Sequence, residues 1–175
     1  MKLFTYLDQH LKLLVPFGFF AGLILGGIAR AWMRWISDDP EFTWSGSLGI
    51  VIGFAIFGAV QAFVYSFRQR PRSKSASIIV RSLGVIFSLQ LFIAAGAIML
   101  PSVLTASLAR WRTNWKSWIR IVLGLASLTA WLVIVKSEIL DTFGWDIITL
   151  GRILLFATIY IVIIATLKPT VSDRI

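Results

Sequence analysis

The sequence predicts an all-α fold: a polytopic helix bundle in a membrane, one transmembrane domain over residues 1–175. Three observations carry that prediction. The first is composition, with 58 % hydrophobic residues and a mean hydropathy of +0.84, against roughly 45–50 % apolar usage in soluble domains. A soluble fold of this length has too little interior to hide so much apolar surface. The second is arrangement, because the apolar residues are gathered into long uncharged windows separated by short basic gaps. The third is where the formal charge of +9 sits. It lies in those gaps, so attraction to anionic lipid headgroups accounts for it better than nucleic-acid binding does.

Taken in order, the windows set the elements. Leu13 to Ala29 lies uncharged between Lys12 and Arg30. Lys2 and Lys12 precede it and Ala29-Arg30-Ala31 has the small-x-small look of a signal-peptidase site. Cleavage there would cut into the helix that carries Arg34, so a retained first helix is expected. Phe42 to Phe67 and Ser82 to Ala109 are also uncharged. Ile121 to Val135, between Arg120 and Lys136, and Ile153 to Leu167, between Arg152 and Lys168, are shorter. A helix needs about 20 residues to cross a hydrocarbon core of roughly 30 Å, so these two cross with their flanking cations snorkelling toward the headgroups. The expectation is five membrane segments, near 12–34, 45–67, 78–110, 117–137 and 147–168.

Small residues predict how the first two pack. Gly18, Gly22 and Gly26 repeat every four residues, as do Gly49 and Gly53, followed by Gly58 and Ala62. Such spacing lets two backbones approach closely where lipid supplies no hydrophobic drive between helices. Contact through Gly22, Gly26, Gly49 and Gly53 is expected, either within the chain or in a homo-oligomer or membrane complex.

The distribution of Lys and Arg bears on threading. If all five segments cross once, the basic residues divide 9 to 8 between the two sides, which gives no orientation. If segment 78–110 enters and returns on one side, the division becomes 13 to 4, and by the positive-inside tendency both termini are cytoplasmic. Asp38, Asp39, Glu41, Glu138, Asp141 and Asp146 then all lie outside. Ala94, Ala95, Gly96 and Ala97 are small and Pro101 breaks a helix, as a re-entrant hairpin requires. The competing form is one long helix kinked at Pro101, about 44 Å from residue 81 to 110. Arg68 to Ser77, rich in Arg, Ser and Pro, reads as a solvated, topology-setting loop.

The stretch Ala29 to Gly46 is the least uniform in the chain. Arg30 and Arg34 stand four apart, with Asp38 four further on as an ion-pair partner along one helix. Trp32, Trp35 and Trp44 suit headgroup depth, and Asp39, Pro40 and Glu41 form a helix-start signal. The pattern R-x-W-M-R-x-I-S-x-x-P-E-F-x-W from Arg30 to Trp44 resembles one in small multi-span bacterial membrane proteins of unassigned function. The resemblance covers about one tenth of the chain and implies a bacterial inner-membrane protein, without an activity.

Chemistry is sparse. His10, near Asp8, is the single histidine and cysteine is absent, so a zinc site has no ligand set. Neither a nucleophile elbow nor a phosphate-binding glycine loop occurs. No cofactor is expected. Within the windows Gln61 and Gln90 are the most deeply placed strongly polar side chains, suited to bonding a neighbouring helix or lining a substrate path. No carboxylate sits centrally in a window, which argues against proton-coupled carriage. Arg30, Arg34, Asp38, Asp39 and Glu41 remain as the candidate site for a lipid headgroup or a hard cation, with mutual neutralisation the simpler role. Two functions follow from this reading. One is a non-catalytic accessory, scaffold or small permease-like component; the other is an embedded enzyme or binder acting on a lipid headgroup at Arg30 to Trp44.

Overall fold

The computed structural model describes residues 11–37, 43–69, 74–95 and 97–173, with residues 11, 12, 74, 90, 92–95 and 97 described by backbone alone. Helix α1 runs Leu11–Trp35, α2 Trp44–Arg68 and α3 Lys74–Ala95. A 3-10 turn, Ala97–Met99, leads into α4, Leu100–Trp111. Helix α5 is Ser117–Ile134 and continues through a π-helical stretch, Val135–Leu140, and a last turn, Asp141–Phe143. Helix α6 is Ile147–Thr166 and α7 the short Lys168–Val171. Among the described residues there is no strand.

Four of these helices are long and apolar enough to cross a membrane: Leu13–Trp35, Trp44–Arg68, Ser117–Phe143 and Ile147–Thr166. The protein is therefore a multi-pass helical membrane protein. The third expected segment is not a fifth crossing. Helix α3 stops at Ala95, and Pro101 lies in the first turn of α4, where a missing N–H removes no helical bond. With 12 residues, α4 is about 18 Å long at 1.5 Å per residue, too short to span.

Its direction is fixed by what its ends touch. Arg81, near the start of α3, donates to the Thr170 and Val171 carbonyls at 2.8 and 3.1 Å. Arg112, just past α4, forms an ion pair with Asp173. Both ends of the segment thus meet the same short turn, whereas one kinked helix would hold them a membrane's thickness apart. The segment is a hairpin. The small residues expected at its tip, Ala94 to Ala97, lie outside the described side chains. Beyond them Met99, Ser102 and Val103 are buried, which packs the start of the returning limb against protein, as irregular backbone in hydrocarbon requires.

The first two helices pack closely, with Gly22 and Gly26 of α1 in the contact as expected and α2 answering with other residues than Gly49. A Cβ added at Gly18 would lie 2.7 Å from the Ala62 Cβ, one at Gly22 2.8 Å from the Ala55 Cα, and one at Gly26 2.9 Å from the Val51 Cα. Gly58 answers from α2, where an added Cβ would come 3.2 Å from the Gly22 Cα. Gly49 stands outside this contact, since a Cβ there would meet nothing within 4 Å. Gly53 is partly buried.

Phe156 of α6 ties the other half together. The Trp32 ring of α1 stacks on it at 4.8 Å, nearly parallel, and the Trp131 ring of α5 at 5.9 Å. Such pairs contribute about 0.5–1.5 kcal/mol each beyond their burial. The fourth expected segment also runs six residues past its predicted end at 137. The π-helical stretch keeps Ile139 fully buried while Lys136, Ser137 and Glu138 face outward. Gly144 stops it with φ +68, the left-handed conformation in which glycine has no Cβ penalty. Trp35, Trp44 and Trp145 are exposed at this end of the bundle, and Trp115 and Trp118 at the other, marking two headgroup levels.

Candidate functional site

The site expected from Ala29 to Gly46 is only partly within the described residues. Asp38, Asp39 and Glu41 lie outside them, and with them the expected Arg34 to Asp38 pairing. Arg34 is exposed in the last turn of α1. Arg30 donates from Nε to the Ser47 hydroxyl at 3.0 Å, joining the end of α1 to the first turns of α2. Trp32 corrects the expectation of a surface anchor: it is buried, and its indole N–H donates to the Arg152 carbonyl at 3.0 Å. The interfacial work at this end falls to Trp35 and Trp44.

Arg152 stands over the Phe143 ring at 3.6 Å and the Trp35 ring at 5.8 Å, a cation held by aromatic faces. Asp146 caps α6 by accepting the Thr149 backbone N–H. That bond, helped by the Thr149 side chain and by Arg152, holds its carboxyl below the usual aspartate range. Among the described residues no three His, Asp or Glu side chains converge on a metal position. Glu138 and Asp141 are exposed.

Deeper in the bundle, two polar networks join helices. Gln61 of α2 is buried; its amide nitrogen donates to the Ser88 hydroxyl of α3 at 2.8 Å and its oxygen accepts from the Thr170 hydroxyl of α7 at 2.6 Å. Ser88 passes its own proton to the Gly84 carbonyl at 2.6 Å. Gln61 thus bonds neighbouring helices. The Gln90 side chain lies outside the described residues.

The second network was not anticipated. Ser102 of α4 donates to the Ser127 carbonyl at 3.1 Å, and its hydroxyl lies 2.6 Å from the Tyr160 hydroxyl, which in turn is 2.7 Å from the Ser127 hydroxyl. Each hydroxyl has one proton, so the direction is determined. With the Ser102 proton spent on the carbonyl, Tyr160 donates to Ser102 and Ser127 donates to Tyr160. Charge-based windows pass over Ser and Tyr, and only the clustering of three hydroxyl residues at matching depth could have signalled the ring.

At the opposite end from Trp35, three arginines converge on α7. Arg68 donates to the Pro169 and Ser172 carbonyls at 2.6 and 3.0 Å. Arg81 takes Thr170 and Val171, and Arg112 takes the Asp173 carboxylate. These are the free carbonyls of a helix carboxyl end, where cations are favoured. A cavity of about 350 Å³ lies beside them, lined by Ile78, Arg81, Ser82, Val85, Arg112 and Thr170. Sequence reading counted these arginines as loop charges; the structure makes them a clamp on a turn.

Compared with family models, curated proteins and solved structures, the chain matches none.

Proposed function

We propose that the protein is a non-catalytic accessory or scaffold subunit of a bacterial inner membrane, with the arginine-rich end cytoplasmic. The supporting observation is how its two interior hydroxyl and amide networks and two of its arginines are used. Gln61, Ser88 and Thr170 bond one another, Ser102, Ser127 and Tyr160 close a ring, and Arg68 and Arg81 are committed to backbone carbonyls. A catalytic or transport site needs polar groups held ready for a substrate; these hold helices.

Orientation follows from charge. Arg68, Arg81, Arg110, Arg112, Lys116, Arg120 and Lys168 gather at the clamped end, while Glu138, Asp141 and Asp146 gather at the other, and basic ends favour the cytoplasm. The surface offered to partners is apolar. Ile121, Leu125, Leu128 and Leu132 of α5 form one exposed stripe at helical spacing. The competing headgroup-acting enzyme at Arg30 to Trp44 is disfavoured by Arg30 being bonded to Ser47 and by Trp32 facing inward.

A photoreactive residue in place of Leu128, followed by mild detergent extraction, tests the reading. Reproducible crosslinking to one protein, or to a second copy of the chain, is expected. Crosslinking to lipid alone, together with loss of cellular role in a stable Arg34→Ala variant, would replace this reading with the enzymatic one.

A further inference from the structure

We infer that the groove between α4, α5 and α6 at the arginine-rich end is a binding site for an anionic phospholipid, its phosphate held by Arg110 and Arg120 beside Trp111 and one acyl chain lying along Gly124. The site goes beyond the scaffold reading and does not depend on it.

The groove has a volume of about 500 Å³. It exists because α4 is a short returning limb and the facing residues are small. Ala106, Gly124 and Ala165 all line it, and a Cβ added at Gly124 would meet nothing within 4 Å. Its mouth is cationic. Arg120 spends Nε on the Ala109 carbonyl at 2.9 Å, which fixes the guanidinium and leaves its two terminal nitrogens without a protein partner among the described residues. Arg110 lies over the Trp111 ring at 5.0 Å, and Lys168 adds a further positive charge over the same ring at 5.4 Å. The ring is itself fixed, since its N–H donates to the Ile164 carbonyl at 2.8 Å. Among the described residues the one ion pair is Arg112 with Asp173, so no described carboxylate pairs with Arg110 or Arg120.

Two guanidinium groups at one mouth, that of Arg120 held by its bond to Ala109 and that of Arg110 over the Trp111 ring, match a phosphodiester, whose oxygens accept paired N–H donors. The exposed Trp115 and Trp118 set this mouth at headgroup level. Inward, the groove loses its charge. Ser127 lines the deep end, but its proton goes to Tyr160, so nothing there asks for a polar ligand. The gradient from cationic mouth to apolar depth follows the gradient of a phospholipid from anionic head to tail. A tail needs no hydrogen bonds, whereas an extended peptide in the same place would leave its backbone unpaired in hydrocarbon.

The test uses the purified full chain in neutral detergent, with lipid retention read by native mass spectrometry and stability by thermal melting. Phosphatidylglycerol, phosphatidylcholine of the same chains and inorganic phosphate are the probes. Phosphatidylglycerol is expected to be retained about tenfold or more over phosphatidylcholine and to raise the melting temperature, with inorganic phosphate doing neither. Arg110→Ala should weaken retention about fivefold, the worth of one interfacial cation. Gly124→Leu places a side chain in the groove from a position where its Cβ meets nothing within 4 Å, so it should melt like the parent without lipid and lose the increment from phosphatidylglycerol. Equal retention of phosphatidylcholine would overturn the proposal, as would full reproduction of the effect by inorganic phosphate. Parental retention by both variants would do the same. Should Gly124→Leu lower the lipid-free melt, Arg110→Ala still decides the matter, because that exposed side chain supports no buried contact.

Discussion

Gly22 and Gly49 look alike in the sequence and do different things. Gly22 lies against the α2 backbone, whereas Gly49 faces open space. Gly22→Leu should therefore lower the melting temperature in detergent, with a loss of about 1–3 kcal/mol or more from overpacking; Gly49→Leu should melt like the parent. Equal effects of the two substitutions would place the contact elsewhere. Spacing made the glycine face of α1 legible but left the answering face of α2 open. Nine residues are two and a half helical turns, so Gly49 and Gly58 point to opposite sides and only one of them can meet α1. Asp146 gives a residue-scale effect of pH. Its carboxyl is depressed in the folded state by the Thr149 N–H, so the stabilisation it adds to α6 is present above the ordinary aspartate range. It is lost as pH falls through the depressed folded value. Melting curves should show this acid loss in the parent and a smaller one in Asp146→Asn; identical pH dependence would remove the cap from the argument.

At the scale of elements, the hairpin was readable from charge. Only a returning third segment puts the basic loops on one side, and Arg81 and Arg112 do meet the same turn. Reporter fusions at Ser73 and Asn114 should thus report one side of the membrane, and a fusion at Gly144 the other. Opposite sides for Ser73 and Asn114 would restore five crossings. The π-helical extension to Phe143 was not readable, because Lys136 and Glu138 look like the end of a span. What carries the helix onward is Ile139, whose burial depends on the neighbouring elements and leaves no periodic trace. Trp32 misled for the same reason. Its neighbours Arg30 and Arg34 gave it an interfacial look, but Phe156, more than a hundred residues away in sequence, supplies the ring it stacks on.

For the whole molecule, charge does two kinds of work. At the Trp35 end, the charge pairs expected from the sequence are surface pairs, which contribute about 0–1 kcal/mol, so Arg34→Ala and Glu41→Gln should leave insertion and melting nearly unchanged. At the other end Arg81→Ala would strip two carbonyls of α7 of their donor. Hydrogen bonds to a charged group are worth about 1.5–3 kcal/mol each, so a clear drop in melting temperature is expected. Parental melting of Arg81→Ala would mean that water replaces the guanidinium and that α7 is not clamped. The scale also explains what sequence reading missed, since Arg68, Arg81 and Arg112 are far apart in the chain and share a target that no local pattern marks.

The clamp also imposes an order on biogenesis. Residues 168 to 173 leave the ribosome after every helix they fasten, so Arg68 waits at the membrane surface through 101 further residues and Arg81 through 89 without the carbonyls they finally grip. Late in that interval the translocon or a membrane insertase has in reach an assembly whose preceding helices are made and whose clamp is still open. A quality-control protease that probes this surface would distinguish clamped chains from unclamped ones by whether the turn has been captured.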